Sequence, residues 1–216
     1  MKTLLAGSLA AILGASLAIA QSDNREFPIQ DFQRLEAGGN FNVVFEPGGS
    51  VGMRIDGDPE DIDDLEIDMR DGELIIRQHR GFRRFFGGYR TLDVTVHLTA
   101  PDVTAFDLSR GVDAEITGID SSELSINVST GADATFAGTC GHATVNVSTG
   151  AELDGRRFDC ASLRVNASTG SEATLKARDS LVANVSTGAD VRTLNNPRNL
   201  RMNTSTGGDV HIGPRS

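Results

Sequence analysis

The chain is expected to be all-β: a parallel β-helix, a single-stranded solenoid with coils of about nineteen residues and a β-rich N-terminal part. Three observations predict this. A heptapeptide recurs at a nearly fixed period. Apolar and polar residues alternate around each copy. Glycine is abundant (24), tryptophan is absent and aromatics make up only 5%. The heptapeptide reads NVSTGAD at 127–133 and 184–190, NVSTGAE at 146–152, NASTGSE at 166–172 and NTSTGGD at 203–209. With a degenerate first copy, DLSRG at 107–111, its glycines are Gly111, Gly131, Gly150, Gly170, Gly188 and Gly207, spaced 20, 19, 20, 18 and 19 residues apart.

The columns around that glycine define the coil. Five residues before it stand Phe106, Ile126, Val145, Val165, Ala183 and Met202, and three before it Leu108, Val128, Val147, Ala167, Val185 and Thr204. Between these columns lie Asp107 and then Asn127, Asn146, Asn166, Asn184 and Asn203, with Ser two before every glycine. Period-2 alternation makes this segment a strand with one face inward. A second alternation follows the glycine, beginning with Ala114, Ala134, Leu153, Ala173, Val191 and Val210. Each period thus holds at least two short strands, with glycine at the bend and a variable third side. About twenty residues at roughly 3.3 Å each give a contour near 60–65 Å, enough for a three-sided coil, and coils stack about 4.8 Å apart. Small side chains are expected to fill the narrow interior.

The two cysteines obey the same alignment. Cys140 lies five residues before Val145, and Cys160 five before Val165. Neighbouring coils bring their Cα atoms about 4.8 Å apart, within disulfide range. A Cys140–Cys160 bridge is expected; the alternative is a pair of reduced, buried thiols.

Residues 1–20 have the pattern of a secretory signal: Lys2, an apolar run over 4–17 and the small-x-small site Ala18-Ile19-Ala20. The run is short for a bilayer span and is interrupted by Gly and Ser, so a retained membrane helix is the weaker reading. Signal removal implies a periplasmic or extracellular protein with no transmembrane anchor, in a compartment that permits disulfides. One β-solenoid domain is expected over 21–216, with 27–104 as its N-terminal part or cap and 105–212 as regular repeats. In 27–104, alternation marks strands at Phe41-Val43-Phe45, Met53-Ile55, Leu65-Ile67-Met69, Leu74-Ile76 and Leu92-Val94-Val96-Leu98. Asp71-Gly72 reads as a hairpin turn, and Asp58-Pro59 as the cap and first position of a helical turn. A repeat stack needs its open end covered, which gives this part a role.

The segments FQRLEAGGNFNVVFEPGG, MRIDGDPEDIDDLEIDMRDGELIIR and LDVTVHLTAPDVTAFDLSRGVDAEI, followed by serial Ser-Thr-Gly-x-acid units, occur in an order that resembles the head GIN domain family. Its members are bacterial cell-envelope proteins described, by similarity, as auto-transporter adhesins. The resemblance spans roughly 27–212. It implies a right-handed β-helix and an adhesion-like role, and it implies no reaction. Most relatives carry Ser-Gly-Ser-Gly-Asp where this chain carries Ser-Thr-Gly-Ala-Asp.

The repeat admits several functional readings. Every Asn is a formal glycosylation acceptor. Adjacent acceptors about 5 Å apart leave no room for five glycans, whereas stacked amides form a ladder. The acidic column Asp113, Asp133, Glu152, Glu172, Asp190 and Asp209 is a weak candidate for Ca²⁺, an ion that takes oxygen ligands. A solvated, solubilising face explains it as well. His79, His97, His142 and His211 share no column, and no catalytic signature is present. Carbohydrate chemistry would rest on fold analogy alone. The net charge of −10 disfavours nucleic acid. No cofactor is implied.

One stretch departs from the acidic background. Arg80, Phe82, Arg83, Arg84, Phe85, Phe86, Tyr89 and Arg90 fall within eleven positions between two strands. They read either as a hairpin folded back on the cap or as an exposed loop contacting an envelope protein, a membrane surface or an anionic polysaccharide. The leading expectation is a non-enzymatic, adhesion- or scaffold-like envelope module. The alternative is a polysaccharide-binding or polysaccharide-active β-helix. The last coil, near Val210 and Ile212, offers an edge for a second subunit, which Pro214 would obstruct.

Overall fold

The computed structural model describes residues 23–79 and 90–214. The expected signal segment and residues 80–89 of the Arg/Phe loop lie outside these ranges.

From residue 105 onward the sequence pattern is realised coil by coil. β8 (Ala105–Ser109) leads through a two-residue turn into β9 (Asp113–Ser129), followed by β10 (Asp133–Ser148), β11 (Glu152–Ser168) and β12 (Glu172–Val185). Each long strand wraps round the coil. Its first residues form one side, here called the acid face. A short side follows, and its last residues form the motif face. β13 (Asp190–Thr193), β14 (Asn199–Thr204) and β15 (Asp209–Ile212) complete the stack. The parallel register matches the glycine-anchored alignment: Asp133 pairs with Asp113 and Glu152, Asn146 with Asn127 and Asn166, and Cys140 with Cys160. Backbones nearly touch at the bends. At Gly138 (φ 135°) an added Cβ would lie 2.1 Å from the Ile119 carbonyl oxygen.

The core runs the length of the stack. Ile126, Val128, Val145, Val147, Val165 and Ala167 are buried, as the alternation requires. The residue after each turn glycine also points inward (Val112, Ala132, Ala151, Ser171 and Ala189), a column the sequence reading overlooked. The interior is less uniformly small than expected. Phe45, Phe106, Phe136 and Phe158 stack across successive coils, with ring centroids 5.4, 5.5 and 5.9 Å apart. Phe45 and Phe136 share the column of Ile116, while Phe106 and Phe158 come from other positions, so no single column displays all four. The short side is stapled by the Cys140–Cys160 disulfide, with Cα atoms 4.4 Å apart.

Residues 27–104 supply coils as well as cover. β2 (Arg34–Gly38) and β3 (Asn42–Pro47) form one coil, and β6 (Glu73–Gln78) and β7 (Val94–Ala100) form another. β2 pairs in parallel with both β6 and β8, and β3 with both β7 and β9. The earlier coil in the chain is therefore seated inside the stack, between the later β6–β7 coil and β8–β9. Antiparallel strands cover the outer coil: β4 (Gly52–Gly57) lies on β7, β1 (Asp23–Phe27) on β4, and β5 (Leu65–Arg70) on β6. α1 (Pro59–Ile62) joins β4 to β5, with Asp58 capping it through a 2.9 Å bond from the Glu60 N–H. Asp71 and Gly72 make the expected hairpin turn at φ 48° and 77°. The opposite end is blunted chemically on one face. The Val210 N–H donates to Asp209 Oδ1 (2.8 Å), and Pro214 has no N–H to offer.

Candidate functional site

The acid and motif faces meet at an edge built from the Ser-Thr-Gly units. At each turn both central residues take left-handed backbone: Thr130, Thr149, Thr169, Thr187 and Thr206 have φ of 49–57°, and the following glycines 65–76°. The bend is thus shared, not carried by glycine alone. Left-handed backbone suits glycine and is costly for a β-branched residue, roughly 1–2 kcal/mol. The turns stack in register because four of the glycine N–H groups donate to the threonine carbonyl of the next coil. These bonds run from Gly131 to Thr149 (3.1 Å), Gly150 to Thr169 (3.0 Å), Gly170 to Thr187 (3.0 Å) and Gly188 to Thr206 (3.1 Å). All five threonine residues are exposed.

Gln78 and Arg90, which flank the Arg/Phe stretch in sequence, lie at this same edge. In the β6–β7 coil that stretch stands in sequence where other coils have a two-residue turn. Its flanks are clamped by buried Gln78. Gln78 Oε1 accepts from the Asn40 N–H (2.9 Å), and its Nε2 donates to the Arg90 carbonyl (2.9 Å). The Leu92 N–H donates to the Asn40 carbonyl (2.8 Å), and Asn40 lies in the β2–β3 turn. Arg90 belongs to the clamp. It pairs with Asp61 and, at 3.1 Å, with Asp64, while Asp61 also accepts from the Asp93 N–H (2.7 Å). Its hydrogen bond with Asp61 holds the guanidinium pKa above its ordinary value. Arg80, Phe82, Arg83, Arg84, Phe85, Phe86 and Tyr89 lie outside the described residues.

On the motif face the asparagines form a continuous amide ladder. Asn146 donates to Asn127 (2.6 Å), Asn166 to Asn146, Asn184 to Asn166 and Asn203 to Asn184 (each 2.8 Å). The column continues through Asp107 to Glu36. Glu36 is gripped by Arg77 through two bonds of 2.9 and 3.0 Å. Burial, helped by Glu36 and Glu73, raises the Asp107 carboxyl pKa.

On the acid face Asp113, Asp133, Glu152, Glu172, Asp190 and Asp209 stand in one register column. Burial and then Asp113 raise the Asp133 pKa, against a backbone hydrogen bond from Glu152. His211 reaches Asp190 at 3.1 Å. The acids stand side by side without converging. Among the described residues, no group of three or more His, Cys, Asp or Glu side chains is arranged to hold a metal ion. The histidines are dispersed as well: His97 pairs with Asp56 at 3.1 Å on the N-terminal coils.

The family described as "Putative auto-transporter adhesin, head GIN domain" matches residues 31–197. Among solved structures, the chain is similar to a protein from Bacteroides fragilis described as a "putative adhesin". That match has a TM-score of 0.65 and 15% identity, and covers 90% of this chain and 97% of the other. A second "putative adhesin", from Parabacteroides distasonis, matches with a TM-score of 0.51 and 12% identity over 89% of this chain and 97% of the other. At these identities the likeness is one of fold. No curated protein matches.

Proposed function

Because the chain belongs to the head GIN domain family, we propose that it is a non-enzymatic binding module of the bacterial cell envelope, adhesion- or scaffold-like, exported by residues 1–20 and working through its turn edge. One observation carries this reading. Five exposed threonines are held in register in a backbone conformation that costs energy, and β6 and β7, which flank the chain's one cluster of arginines and phenylalanines in sequence, meet at that same edge. The left-handed turn holds each threonine side chain in a fixed, repeated position along the edge. Arginine and aromatic side chains are the residue types that anchor contacts. The acidic column serves as a solvated flank that keeps the stack soluble.

The test compares the native chain with a variant in which residues 80–89 are replaced by Thr-Gly. Binding of each to immobilised envelope fragments is measured alongside thermal unfolding. The graft is expected to fold and to lose binding; equal binding by both proteins refutes the reading. Turnover of an anionic polysaccharide that disappears in Asp133→Asn or Asp190→Asn would overturn the non-enzymatic assignment.

A further inference from the structure

The corner opposite the turn edge, where the short side meets the motif face, carries an open groove of about 890 Å³. It crosses β2, β8, β9, β10, β11 and β12 in turn, at right angles to the strands. One outward column along it reads Arg34, Ala105, Ser125, Thr144, Arg164 and Val182, and continues to Arg201 on β14. Hydroxyls of Ser122, Ser162 and Ser180 line it from the neighbouring columns, with His142 beside Glu123 near its middle.

We propose that this groove binds a linear acidic polysaccharide, laid along the solenoid axis, with its carboxylate or sulfate groups on Arg34, Arg164 and Arg201. The inference goes beyond the turn-edge reading: it adds a second site at the opposite corner and names its ligand class. Three features carry it. First, the cations are available. Among the described residues neither Arg164 nor Arg201 has an acidic partner, and Arg34 reaches Glu73 only at 3.9 Å. In a chain of net charge −10 they face away from the acid column.

Second, the cations are sparse. Arg34 and Arg164 are four strand spacings apart and Arg164 and Arg201 two, which is about 19 Å and about 10 Å at roughly 4.8 Å per strand. Between the first two lie Ser125 and Thr144, which offer hydroxyls instead of charge. Nucleic acid or polyphosphate, with a charge at every unit, would leave most of its anions unmatched and would meet repulsion from the rest of the molecule. A glycan with dense hydroxyls and intermittent acids matches the order of groups. Third, the groove has the right repeat. A pyranose in a linear glycan advances by close to one coil spacing, so successive sugars meet equivalent positions on successive coils. Arginine suits planar carboxylate and sulfate groups.

The test is calorimetric titration of the full chain with hyaluronan and unsulfated chondroitin oligosaccharides, each carrying one carboxylate per disaccharide, against maltohexaose as the neutral probe and oligothymidylate as the densely charged one. The acidic glycans are expected to bind and the other two not. Arg164→Gln/Arg201→Gln should weaken binding about tenfold or more, the loss expected for two charge-assisted contacts. Arg192→Gln, on the acid face, should leave it unchanged, and the Thr-Gly graft at 80–89 should still bind. Equal binding of maltohexaose, tighter binding of oligothymidylate, or no effect of the double substitution overturns the groove. Loss of binding in the graft alone also overturns it and leaves the turn-edge reading standing. A graft that binds envelope normally refutes the turn edge without touching the groove.

Discussion

In residues 105–212 each coil follows its predecessor in the chain, and the Asn, Ser and acidic columns each repeat one residue type. In residues 23–104 the chain visits the stack out of order. It lays down β2–β3, crosses to the antiparallel cover, and returns to build β6–β7 on the outer side of the coil it made first. Both regions bury the same kind of alternating strand. They differ in how the ends are treated. The repeats can be extended indefinitely by adding coils, which makes an open end a liability. The N-terminal region closes that end by reversing strand direction, and its β6–β7 connection is longer in sequence than the two-residue turns of the repeats. Regular stacking supplies rigidity, and irregular threading supplies a boundary and a distinctive surface.

Changes at increasing distance from the shared core should separate the regions. Phe136→Ala removes the middle of the phenylalanine stack from a fully buried site and should cost about 3–5 kcal/mol. Ile67→Ala, in the half-buried cover strand β5, should cost much less, and denaturant titration of both variants measures the contrast. Cys140→Ala/Cys160→Ala opens a loop of sequence separation 20 and should cost about 3 kcal/mol, read as an equal drop when the native protein is unfolded under reducing conditions. Asn166→Ala cuts the amide ladder on both sides, at Asn146 and at Asn184, and should cost about 1–2 kcal/mol in the same titration.

The smallest effect sits at the junction of the two regions. The Asp107 pKa is raised in the folded chain, so its ionised form opposes folding. That penalty is absent where the carboxyl is protonated in both states, and it appears as pH rises through the carboxylate range. Asp107→Asn should therefore raise the melting temperature at neutral pH and lose its advantage in acid, as followed by melts across a pH series.

The repeat region was largely legible because register in a solenoid is set by period. Aligning glycines placed Asn127 beside Asn146, Asp113 beside Asp133 and Cys140 beside Cys160. What period cannot encode is conformation within the bend: Thr130 looks like an ordinary strand residue, and its left-handed backbone follows from the two-residue turn. Nor can it show the stacking order of strands without a repeat. The alternation at Leu35-Ala37 and Leu74-Ile76 marks both as half-inward strands and does not say that one lies inside the other. Composition groups Arg90 with the contact loop; its partners Asp61 and Asp64 come close only once α1 folds across the end. Arg34 and Arg164 of the groove and Arg201 beyond its end come from three separate stretches, and coil stacking alone brings them into line.

Amide hydrogen exchange of β2 and β3 tests the threading most directly. Strands paired on both sides should exchange as slowly as β9–β11, so amides of Leu35, Ala37, Val43 and Phe45 are expected among the most protected in the protein. Their exchange at the rate of the covering strands β1 and β5 would contradict the placement of this coil inside the stack.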